Sequence, residues 1–144
     1  MVDSNNSRVL RFPKVSVNGG ASGISKTADF VLGQANFTSN LPGDGVGLAR
    51  LTYPNQVKAD RAGNIYVMEQ NESVSPSRSR ILKYGASAIQ AAKSQGKITV
   101  LADSQLWPRP GDPVDTLWWG PTAMCLDDAS NGLWISLSKG LCYF

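Results

Sequence analysis

Carboxylates are the main reactive side chains in this chain, because histidine is absent. Without it neither a Ser-His-Asp nor a Cys-His relay can be assembled, and His-based zinc or iron sites are excluded. Cys125 and Cys142 do not stand at a metal-ligand spacing. Cys125 lies in the apolar run 123–126 and is expected as a buried small hydrophobe, with Cys142 a free thiol. A disulfide between the two is the alternative. Of the eleven acidic residues, the candidates for metal binding or acid–base work are Asp44, Asp60, Asp103, Asp112, Asp115, Asp127 and Asp128. Asp127 and Asp128 are adjacent, but no spacing around them supplies the remaining oxygens that a calcium ion needs. No metal or cofactor is expected.

Binding by aromatic and cationic side chains is the other chemistry on offer. Trp107, Trp118 and Trp119 fall in one long loop, where an exposed indole can stack on a sugar, a base or a peptide. Packing between neighbouring units is the competing role. Trp134, in a strand-like run, is expected in the core. Arg50 and Arg78 join the tryptophans as candidate ligand or interface contacts. The net charge is +3, and the Lys and Arg residues are scattered rather than clustered, so nucleic-acid binding is not implied.

The elements that position these residues are short and repeated. Fourteen Gly and eight Pro in 144 residues favour many turns. Residues 54–84 contain three apolar-alternating runs, 55–60, 64–69 and 79–84. The first two are joined by a turn at Arg61-Ala62-Gly63, in which Asp60 and Asn64 flank a glycine able to take positive φ. Ser7-Arg8-Val9-Leu10-Arg11-Phe12 aligns without gaps to Ser79-Arg80-Ile81-Leu82-Lys83-Tyr84. Pro121, Met124, Leu126 and Asp127 align with Pro54, Val57, Ala59 and Asp60, and Leu133-Trp134-Ile135 then falls on Ile65-Tyr66-Val67. Recurrence at this scale is the mark of a solenoid or propeller, and four-stranded units favour the propeller. Arg80 is expected to pair with Glu69, and Arg8 with the acid at the end of its own preceding run. A helix is expected over 86–94, between Gly85 and Gly96. The equivalence of Asp60 and Asp127 assigns both to turns.

These repeats resemble the NHL-repeat family of β-propellers. The resemblance rests on Tyr53-Pro54, Val57-Lys58-Ala59-Asp60, Gly63-Asn64-Ile65-Tyr66-Val67, Arg80-Ile81-Leu82-Lys83-Tyr84, the degenerate copies at 6–12 and 121–135, and an inter-blade-like stretch at 31–39. It implies an all-β fold of four-stranded antiparallel blades in one domain, 1–144. A half-blade would span 1–33, a complete blade 54–102 and a second half-blade 121–137, with one short helical insertion. The strands would be 8–12, 28–32, 55–60, 64–69, 79–84, 97–101, 122–127 and 132–137, with 97–101 the fourth of the complete blade.

Half-blades leave open edges, which carry an aggregation risk. Self-association through those edges is therefore expected, head to tail, with three chains giving a six-bladed ring. A stretch of a longer propeller is the alternative. The functional expectation is a non-catalytic binding module. A metal-dependent lactonase-like hydrolase or lyase is the second reading, and an RNA-binding propeller the third. No transmembrane helix is expected, since no apolar run is long enough, and residues 1–12 lack the apolar core of a secretory signal.

Overall fold

Each apolar-alternating run becomes a strand, and the strands gather into sheets that pack through their apolar faces. The computed structural model describes residues 1–16, 22–43, 47–70, 79–107, 121–127, 129–130, 132–137 and 140–144. The described strands are β1 (Val2–Asp3), β2 (Arg8–Arg11), β3 (Lys14–Ser16), β4 (Ser22–Ile24), β5 (Phe30–Leu32), β6 (Pro54–Ala59) and β7 (Ile65–Glu69). They continue as β8 (Arg80–Tyr84), β9 (Thr99–Val100), β10 (Ser104–Trp107), β11 (Ala123–Asp127), β12 (Gly132–Leu137) and β13 (Gly140–Tyr143). One helix, α1 (Ala86–Ser94), matches its expected bounds. The fold is all-β.

Three sheets carry the core. The first has the order β1-β2-β5-β9, the second β10-β8-β7-β6 and the third β11-β12-β13. The small hairpin β3-β4 stands apart, largely exposed. Because side chains alternate between faces, the second sheet is apolar on both sides. Val67, Leu82 and Tyr84 pack with Val9, Phe30 and Leu32 of the first sheet, joined by Leu51 and by Ile89 and Ala92 of α1. Tyr66, Met68 and Ile81 pack on the other side with Met124, Leu133 and Ile135 of the third sheet.

One strand goes elsewhere than expected. The run 97–101 shortens to β9 and adds to the first sheet, parallel to β5, with Val31 N–H donating to Ile98 O at 2.8 Å. The fourth strand of the second sheet is β10, antiparallel to β8. The helix explains the exchange. Lys97 N–H caps α1 by donating to Ala92 O at 2.9 Å, which delivers the next residues to the edge of β5. The chain returns to the second sheet at Asp103, whose N–H donates to Lys83 O at 2.8 Å. The first sheet is thus completed to four strands by the chain itself, and the third gains β13.

Candidate functional site

The repeats place ion pairs and turns at equivalent points. Asp3 pairs across the sheet with Arg8 as Glu69 does with Arg80. Arg8 Nε donates to Asp3 Oδ2 at 2.7 Å, and its Nη1 reaches Phe37 O. The second pair is fully buried, at 1% and 0% exposure. Arg80 Nε donates to Glu69 Oε1, while its Nη1 and Nη2 donate to Gly47 O at 2.9 Å and Arg50 O at 3.0 Å. Glu69 Oε2 accepts from Thr52 N–H at 2.8 Å. The pair therefore clamps the segment that carries Leu51 into the core. In the third sheet the same cross-strand position holds Leu137 and Gly140, so the clamp is lost there.

Asp60 and Asp127 both serve turns, as their equivalence predicts. Asp60 accepts from Asn64 N–H at 2.8 Å, Asn64 Nδ2 at 2.7 Å and Tyr66 Oη at 3.0 Å. Burial alone would raise the Asp60 carboxyl, but these donors and Gly63 N–H outweigh it and hold it below 3.8. Burial and the Asp60 carboxylate push the Tyr66 phenol up to about 12. Asp127 accepts from Ala129 N–H at 3.0 Å and Ser130 Oγ at 2.6 Å, which lowers its carboxyl. Among the described residues no three His, Cys, Asp or Glu side chains gather where they could hold a metal ion.

Of the sequence-predicted contacts, Arg50 is exposed and contributes its carbonyl to the Arg80 clamp. Trp107 ends β10 opposite Ile81. Trp118, Trp119 and Arg78 lie outside the described residues, as do Asp44, Asp112, Asp115 and Asp128.

A different set of residues converges on the outer face of the third sheet. Cys125, Trp134 and Tyr143 form one cross-strand row, and Ala123, Ser136 and Leu141 the next. Trp134 is 42% exposed, Tyr143 43% and Leu141 68%. The rings of Trp134 and Tyr143 lie 4.7 Å apart, tilted by 50°. The Tyr143 hydroxyl bonds to Ser130 Oγ, which is itself tied to Asp127, so the aromatic pair is anchored. Two expectations are corrected here. Trp134 is not in the core and Cys125 is not buried; both cysteines are free thiols. Period-two alternation places Cys125 on the face opposite Met124 and Leu126, the same face as Trp134.

The corresponding rows of the second sheet are Lys58–Tyr66–Lys83 and Gln56–Met68–Ile81. There the third sheet covers them, and Tyr66 is 7% exposed. Equivalent positions are thus covered in one sheet and open in the next. No family model, curated protein or solved structure matches this chain.

Proposed function

We propose that this chain is a non-catalytic interaction module whose sheets stack as blades of an NHL-like propeller, and that it works by self-association through the uncovered end of that stack. The supporting observation is the exposure of Trp134, Tyr143 and Leu141 at positions whose counterparts in the second sheet are packed beneath a neighbour. Burying such aromatic surface is a main source of association energy. The third sheet also ends at β13, beyond which no strand is paired among the described residues. Asp60 and Asp127 have their oxygens engaged within turns, which fits a structural role better than an acid–base one.

Light scattering on the purified chain tests this reading. The expected result is a mass above the 15.4 kDa of one protomer, rising with concentration. A mass of one protomer at every concentration would overturn it.

A further inference from the structure

The stack of sheets defines what the open face is built to receive. Each described interface joins the apolar face of one sheet to the apolar face of the next: first to second through Val9, Leu32, Val67 and Leu82, second to third through Met68, Ile81, Met124 and Ile135. The outer face of the third sheet repeats, row for row, the face that the third sheet covers on the second. Its occupant is therefore another sheet, seated about 10 Å away as sheets normally pack.

The substitutions between the two faces narrow the choice. Where the second sheet has Lys58 and Lys83 flanking Tyr66, the third has Cys125 and Tyr143 flanking Trp134. The two open rows contain no Lys, Arg, Asp or Glu. Two copies of a chain with net charge +3 can thus bring this face together without like-charge repulsion. Among the described residues, the other apolar faces of the three core sheets of a second copy are already occupied. The first and second sheets cover each other, the inner face of the third is taken by the second, and on the outer side of the first sheet Leu10 and Val31 are buried. A second copy is left with its own third sheet to offer.

We infer that two copies pack face to face about a twofold axis through Cys125, Trp134, Ser136, Leu141 and Tyr143, an isologous interface in which each Trp134–Tyr143 pair fills the partner's row. This deepens the self-association reading and rests on it. The footprint sets the affinity. Three strands about 4.8 Å apart, at about 3.3 Å per residue, cover well under half of the roughly 800 Å² per partner of a standard interface. The dimer is accordingly weak and concentration-dependent.

The experiment measures mass by sedimentation from low to high micromolar concentration, for the wild type and for a variant carrying both Cys125→Lys and Leu141→Lys. Alongside it, thiol labelling of Cys125 is followed in the wild type, with the inward-facing Cys142 as the internal reference. The expected results are a monomer–dimer equilibrium, slower Cys125 labelling as the dimer forms, and a dissociation constant weakened about 100-fold or more by the opposed lysines. A dimer that ignores the lysines and leaves Cys125 equally reactive overturns this interface while sparing self-association. A mass of three protomers likewise overturns the twofold arrangement and favours the ring. A strict monomer overturns both. Should the double variant fail to fold, concentration-dependent protection of Cys125 in the wild type decides alone.

Discussion

Arg80 and Glu69 form a fully buried ion pair whose remaining hydrogen-bonding atoms are turned onto the backbone of residues 47–52. Desolvating two charges is expensive, and the pair is sustained by the carbonyls of Gly47 and Arg50 and by Thr52 N–H. Removing one partner strands the other. Arg80→Met and Glu69→Gln should each lower stability by about 3–5 kcal/mol, measured by denaturant unfolding. The homologous Arg8–Asp3 pair is more accessible, at 16% and 19% exposure, and Arg8→Met should cost clearly less. Equal losses at the two sites would contradict the clamp.

The Asp60–Tyr66 contact predicts how stability varies with pH. The folded Asp60 carboxyl sits below its ordinary value of 3.8, so its contribution is complete above that value and is lost as pH falls through the lowered one. The folded Tyr66 phenol is raised from 10.0 to about 12, so its contribution is complete below 10 and fades as pH rises toward 12. Tyr66→Phe should flatten part of the alkaline loss seen in thermal melts and, because it removes one donor to Asp60, reduce the acid limb, which Asn64 still sustains. The part that remains includes Tyr84, which burial also pushes upward. An alkaline limb identical in wild type and variant would show that Tyr66 is not so held.

Much of this was legible in the chain because it was written more than once. The alignment of Arg8 with Arg80 located both ion pairs, and the Asp60-to-Asn64 spacing located a turn in which Gly63 adopts φ 90°. Gly85 and Gly96 bracketed α1. The exchange between β9 and β10 was not legible. Residues 97–101 read as a strand and 104–107 as part of a long loop, and the choice was made by the direction in which α1 releases the chain. The exposure of Trp134 was hidden for another reason. A residue type at a strand position does not reveal whether a further sheet covers that face.

Asn64 links two elements that are distant along the chain. Its Nδ2 and N–H hold Asp60, and its Oδ1 accepts from Ala86 N–H at 2.9 Å, in effect capping α1 where Gly85 has no side chain to do so. Asn64→Ala should cost about 1–2 kcal/mol, in the range of a lost helix cap plus a lost buried donor. The amides of the first turn of α1 should exchange faster. Gly63→Ala, by contrast, forces a Cβ into left-handed backbone at about 1–2 kcal/mol, with that Cβ 3.4 Å from Ala86 Cβ, while the Asn64 side chain that caps the helix is kept. If both variants loosened α1 alike, the cap would not be the link.

The third sheet is held to the second by side chains as well as by its core. Gln56 Oε1 accepts from Met124 N–H at 2.7 Å, and Gln70 Nε2 donates to Pro121 O at 3.1 Å. Gln56 thus satisfies a donor on β11, the inner edge strand of its sheet, and registers that strand against β6. Gln56→Ala leaves the Met124 amide without this partner at a cost of about 1 kcal/mol. The effect should be local. Hydrogen exchange is expected to quicken across β11, β12 and β13, while β7 and β8, paired on both sides, keep their protection. Uniform quickening across all three sheets would mean that they open as one unit and that Gln56 does not set the docking of the third.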